Sequence, residues 1–149
     1  LHKFVITGGD IIKAVKKFKG NNVSGPDMIP AFLVKDCINC FIVPLCYIFN
    51  LVLKRSMYPC VWKVSRICPV FKCGNKMNIK NYRPIALLSN FAKIFESIVS
   101  NIIYSHVSNM IIPEQHGFVK AKSTTSNLFE FTNFISKSLD QRKQVDIDL

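Results

Sequence analysis

Acidic side chains are scarce in this sequence: nine Asp and Glu stand against twenty Lys and Arg, leaving a formal charge of +11 and a pI near 9.6. That imbalance points to a polyanionic partner, and charge alone does not choose between nucleic acid and an acidic membrane surface. Adjacent aspartates are absent, which excludes an Asp-Asp clamp for paired metal ions within these residues. An uninterrupted hydrophobic run of spanning length is absent too. The most apolar stretch, residues 37–53, is 17 residues long and is broken by Asn39, Pro44 and Asn50. It reads as a core helix broken or bent near Pro44, so no membrane partner is expected. Residues 1–10 do not resemble a secretory leader, and nothing supports a disulfide framework for the six cysteines. Cys37 and Cys40 form a C-x-x-C, and Cys68 with Cys73 would complete a zinc site. The first pair, however, lies in an apolar helix-like run and the second has the wrong spacing, so small buried or idle thiols and no zinc are expected.

What is present is a mostly helical pattern around one extended unit. Residues 9–19 place Ile11, Ile12, Val15 and Phe18 on one side and Lys13, Lys16, Lys17 and Lys19 on the other, with Asp10 as the expected cap: a short helix with a basic face. A structured loop follows at residues 21–30, marked by Gly25-Pro26-Asp27 and closed by Pro30. Residues 90–107 have the cleanest periodicity. Phe91, Ile94, Phe95, Ile98, Val99, Ile102 and Ile103 fall on one wide helical face, with Lys93 and Glu96 expected as a solvated pair. Residues 111–126 read as a loop whose Ser-Thr-Thr run caps a last helix, and His116 is expected in a hydrogen-bonded structural role. That helix carries Leu128, Phe131, Phe134, Ile135 and Leu139 at packing intervals.

The most informative stretch is residues 61–88. Apolar runs at 64–71 and 85–88 flank a tip with Lys72, Lys76, Lys80 and Arg83 among Gly74, Asn75, Asn78 and Asn81. The pattern predicts two extended segments joined at a cationic tip suited to an anion. Pro84 holds Arg83 extended, so that Lys72 and Arg83 can meet on one phosphate, the first as a compact charge and the second as a planar fork.

The order of Pro59, Trp62, Pro69, Lys72, Gly74 and Asn81-Tyr82-Arg83-Pro84-Ile85 resembles the fingers region of reverse transcriptases from non-LTR, LINE-like (jockey-type) retrotransposons. Residues 24–30 are similar to the family's S-x-G-x-D-x-I-P element, with Met28 where glycine is common. Gln115, Gly117, Phe118, Ser123 and Thr124 match its Q-x-G-F-x-x-G-x-S-T motif, with Ala121 for glycine and Lys122 for arginine. The resemblance implies an α/β (α+β) fold, mostly helical with a short antiparallel β unit. Residues 1–149 would be a partial reverse transcriptase domain, comprising the fingers and first edge of the palm without the C-terminal palm and thumb.

It further implies that Lys72 and Arg83 contact the triphosphate of an incoming deoxynucleotide and that Gln115, Gly117, Phe118, Lys120, Lys122, Ser123 and Thr124 border the template. Asp148 is the candidate first metal ligand, although it follows Asp146 sooner after the helix than the family spacing leads one to expect. The implied partners are an RNA template, a DNA primer, deoxynucleoside triphosphates and the missing remainder of the polymerase. Mg²⁺ would serve the parent enzyme, and no cofactor is expected for this chain alone, which is expected not to polymerise. The competing reading is a non-catalytic nucleic-acid-binding remnant. The family acts inside the cell, in the nucleus or cytoplasm, and the resemblance implies nothing finer.

Overall fold

The computed structural model describes residues 4–20 and 22–145, a mixed α/β arrangement in two compact units, Leu1–Ile103 and Tyr104–Leu149. Helix α1 (Gly8–Lys16) is capped by Thr7, not by the expected Asp10. Asp10 occupies the reciprocal place in a capping box: its carboxylate accepts the Thr7 N–H at 2.9 Å and the Thr7 hydroxyl at 2.7 Å. These bonds hold its carboxyl below the usual range. The apolar pattern alone could not separate the two caps, because both precede Ile11 within one turn.

The break expected near Pro44 falls instead at Cys37, between α2 (Ala31–Asp36) and α3 (Ile38–Arg55), and Pro44 lies inside α3. Helix α3 is long and apolar enough to cross a membrane by length and composition alone. It is less buried than its apolarity suggests. Leu45 and Phe49 enter the core, while Val43 and Tyr47 are exposed. Its polar Asn50 is a clamp: the side-chain oxygen accepts the Ile6 N–H at 2.8 Å, and the amide donates to the Ile6 and Cys46 carbonyls, each at 2.8 Å. One side chain thereby satisfies both backbone groups of a residue whose own side chain is fully buried.

After a 3-10 turn at Cys60–Trp62 the chain forms β1 (Arg66–Phe71) and β2 (Tyr82–Leu87), an antiparallel pair with Arg66 opposite Leu87 and Phe71 opposite Tyr82. Helix α4 (Asn90–Val107) buries Ile94, Phe95 and Ile98, as its periodicity predicts, and also Ala92, although Ile103 is exposed. The core of the first unit is aromatic. Trp62 packs on Phe49 at 5.8 Å and on Phe95 at 5.8 Å between ring centres, and Tyr58 closes the cluster against Trp62 at 5.6 Å. Tyr58 also donates to Glu96 at 2.7 Å; burial, then this bond, pushes its phenol pKa up. Lys93 is half-buried and bonds to Asn90, so Lys93 and Glu96 each serve a different partner and do not form the expected solvated pair.

The loop before α2 docks on the start of α4. Asn90 donates to the carbonyls of Val23 and Ile29 at 3.1 and 2.8 Å, Ser89 donates to Asp27 at 2.5 Å, and Arg66 reaches the Ser24 carbonyl at 3.0 Å. Gly25 is required there, since a Cβ would sit 2.5 Å from the Ser89 nitrogen. Met28 adopts φ +59, the left-handed conformation that glycine takes without cost. In the second unit α5 (Thr124–Asp140) has no buried residue, and Leu128, Phe131, Phe134 and Leu139 are exposed. This corrects the expectation of a packed helix: periodicity reveals a face that wants covering, not whether a cover is present.

Ala121 sits at φ +65, also left-handed. Met28→Gly and Ala121→Gly are each expected to raise stability by about 0.5–1 kcal/mol, the left-handed cost relieved less the added freedom of the unfolded chain. Chemical denaturation of each variant checks this, and a loss of stability in both would show that neither backbone is strained.

Candidate functional site

The hairpin tip, residues 72–81, is built by asparagines. Lys72 N–H donates to the Asn81 carbonyl at 2.8 Å and extends the ladder one residue past β1. Asn81 donates through its amide to the Asn75 carbonyl at 2.8 Å, Asn75 accepts the Met77 N–H at 2.9 Å, and Asn78 accepts the Lys80 N–H at 3.0 Å. Each is a short side chain bonding nearby backbone, which is why asparagine suits such turns. Gly74 takes φ +87 where a Cβ would press against the Asn81 amide at 2.8 Å.

Register then decides where the cations go. Val70 pairs with Arg83, and side chains alternate along a strand, so Lys72 lies on the same face as Arg83 and diagonal to it. Phe71 and Tyr82 occupy the opposite face, packed edge-on at 5.5 Å, with the Lys76 ammonium 5.8 Å from the Phe71 ring centre. The Tyr82 hydroxyl donates to the Lys76 carbonyl at 2.9 Å and ties that side of the tip to the strand. Of the four cations expected at one tip, Lys72 and Arg83 thus share one face and Lys76 is held on the other.

Pro69 and Pro84 face each other across the ladder. The Lys72–Asn81 bond sets the bonded rungs, and the two prolines fall on a rung without inter-strand bonds, where an N–H would project along the open edges. Neither edge offers a donor at that level, which discourages pairing with another strand.

The second cluster lies in the other unit. His116 is buried, with Nδ1 2.9 Å from Ser126 Oγ and Nε2 2.9 Å from Glu130, so it fastens the loop to α5 in the structural role expected of it. Ser123 caps α5 in a reciprocal pair with Ser126, as the Ser-Thr-Thr run predicts. Gln115 turns its amide onto the Gly117 carbonyl at 3.0 Å, and Lys122 donates to the Pro113 carbonyl. Gly117, Lys120 and Thr124 are exposed, and Phe118 is fully exposed at φ +60. Asp146 and Asp148 lie outside the described residues. Among the described residues no three His, Cys, Asp or Glu side chains come together to hold a metal ion, and all six cysteines are free thiols. Cys40, Cys60, Cys68 and Cys73 are exposed and Cys37 and Cys46 are half-buried, so none of the six is fully buried.

No protein-family model matches the chain. A probable RNA-directed DNA polymerase from transposon BS of Drosophila melanogaster is 27% identical over 137 residues, 90% of this chain. The RNA-directed DNA polymerase from mobile element jockey of Drosophila funebris is 25% identical over 141 residues, 93% of this chain. The chain is similar to the polymerases of non-LTR retrotransposons. A retrovirus-related Pol polyprotein from the type-1 retrotransposable element R1 of Bradysia coprophila is likewise 25% identical over 118 residues. The chain spans 15% of the length of the first two relatives, so the similarity concerns one stretch of those retrotransposon polymerases.

The docking of residues 24–30 onto Ser89 and Asn90 was not expressed in the motif pattern; the one available signal was a polar Ser-Asn pair at the start of an apolar helix. The His116 fastening carries a pH dependence. The hydrogen bond from His116 holds the Glu130 carboxyl below its ordinary value, with further help from the charges of His116 and Lys122. A depressed carboxyl contributes stability above the unfolded value and loses it as pH falls through the folded one. Glu130→Gln is therefore expected to speed amide exchange in the loop at neutral pH and to match the parent once the pH is low enough to protonate the parent's carboxyl. Equal exchange at neutral pH would remove this role for Glu130.

Proposed function

We propose that this chain is the fingers and first palm edge of a reverse transcriptase domain, the part that holds the incoming nucleotide and borders the template. The observation that carries this reading is the placement of Lys72 and Arg83 on one hairpin face. A triphosphate suits that pair: the ammonium meets it as a point charge, and the guanidinium donates two parallel hydrogen bonds to adjacent oxygens. The rigid asparagine-built tip keeps the Lys72 backbone in place before any ligand arrives. Gln115, Gly117, Phe118, Lys120, Lys122, Ser123 and Thr124 form the template border in this reading. Exposed Lys120 supplies backbone charge, Phe118 supplies a ring for a base, and Lys122 and Gln115 shape the loop through their bonds to Pro113 and Gly117.

The substrates on this reading are an RNA template, a DNA primer and deoxynucleoside triphosphates. The Mg²⁺ of such a reaction needs converging carboxylates. The described residues do not fit it, since they bring no such group together. The chemistry assigned to these residues is binding and orientation, with Asp148 the candidate first metal ligand and the other catalytic carboxylates supplied by the remainder of the polymerase.

Binding of a fluorescent deoxynucleoside triphosphate tests the pair. Arg83→Ala is expected to weaken it about tenfold or more, in line with one charge-assisted hydrogen-bonded contact. Arg83→Lys should recover the charge but not the fork and regain only part of the loss. Binding indifferent to both Lys72→Ala and Arg83→Ala would sink the assignment. Primer extension on an RNA template with Mg²⁺ is expected to give no product with this chain alone, and robust extension would show that its own residues complete a catalytic centre.

A further inference from the structure

Away from the hairpin, the first unit carries a groove of about 420 Å³ between α1 and the middle of α4. Phe4, Ile98 and Ile102 form an apolar floor, and Lys13, Lys16 and Lys17 stand at the rim. Asp10 also lines it, but its carboxylate is already engaged by Thr7, so three ammonium groups face one occupied carboxylate. Ile11 and Val15 anchor α1 in the core and Ala14 lines the groove itself, so the lysines are presented from a fixed helix. Lys13 and Lys17 are one turn apart, about 6 Å along the axis.

A cationic rim over a recessed apolar floor suits a partner that carries negative charge and flat apolar surface in alternation. A single nucleic-acid strand does so, with phosphates for the rim and unstacked bases for the floor. A duplex hides its base faces, and a bilayer calls for apolar groups that protrude. We infer that this groove seats a single-stranded nucleic-acid segment, with Lys13, Lys16 and Lys17 on its phosphates and a base against Phe4. The inference deepens the nucleic-acid reading above and does not depend on the triphosphate role of Lys72 and Arg83.

The test is fluorescence anisotropy of the full chain with a labelled oligouridylate of about 20 nucleotides, between about 50 and 200 mM salt. The triple variant Lys13→Ala, Lys16→Ala, Lys17→Ala is expected to bind about tenfold more weakly, with the slope of log K against log salt shallower by about 2. Phe4→Ala, which keeps the charge, should bind about fivefold more weakly or worse. A control that removes three exposed cations elsewhere in the unit, Lys54→Ala, Arg55→Ala, Lys63→Ala, should stay within about twofold of the parent.

Either groove variant binding like the parent overturns the inference. So does an equal loss in the control, or tighter binding of duplex than of single strand. Loss of binding to phosphatidylserine vesicles in the triple variant with RNA binding intact would assign the groove to lipid instead. Alanine at two exposed helical positions and the C-cap keeps the helix foldable, and circular dichroism checks it. Triphosphate binding is read in a separate assay, so failure of the groove and failure of the hairpin reading show up independently.

Discussion

The packing of Trp62 on Phe49 and Phe95 is the contact on which the hairpin depends. Trp62 lies four residues before β1, Phe49 belongs to α3, and Phe95 lies on α4, which starts three residues after β2. The hairpin buries almost nothing of itself, since every residue of β1 is exposed. An isolated two-stranded unit is marginal in water, so its position is inherited from the aromatic cluster at its base. Burial of each large ring contributes on the order of 2–3 kcal/mol, more than any single bond in the tip. The tryptophan of the fingers-like pattern is thus structural, and the nearby lysine and arginine are free to project.

A second layer of support comes from polar residues that close backbone accounts. Asn50 satisfies Ile6, Asn90 satisfies Val23 and Ile29, and Asn75, Asn78 and Asn81 satisfy one another's segments. Asparagine can donate and accept at once over a short reach, which lets a loop run beside a helix without leaving buried groups unpaired. The loop of residues 22–30 shows how tight this becomes. Gly25 is forced by the approach of the residue 88–89 backbone, whereas Met28 accepts a left-handed conformation because its neighbours on both sides are held.

Met28 and Ala121 stand where the resembled family commonly has glycine, and both adopt the backbone that glycine would take. Neither position needs glycine to reach the left-handed conformation. Surrounding hydrogen bonds, to Gly25 and Asp27 on one side and from the Lys122 ammonium and the Ser123 N–H on the other, over-determine each turn. A departure from a motif at a glycine therefore lowers stability without necessarily changing the shape that the motif describes.

By itself the sequence determined the elements and their chemistry: the face of α4, the extended pair around the Lys-Arg tip, the Ser123 cap and the excess of positive charge. Each follows from local spacing and side-chain type, which act within a few residues. Only the tertiary structure decided that Thr7 rather than Asp10 caps α1, that the helix breaks at Cys37 rather than at Pro44, and that Lys76 is separated from Lys72 and Arg83. Those outcomes turn on strand register and on which neighbour reaches a hydrogen-bonding group first. The groove of Lys13, Lys16 and Lys17 likewise exists only because α4 lays Ile98 and Ile102 beside α1, a pairing of residues about eighty positions apart that no local pattern encodes.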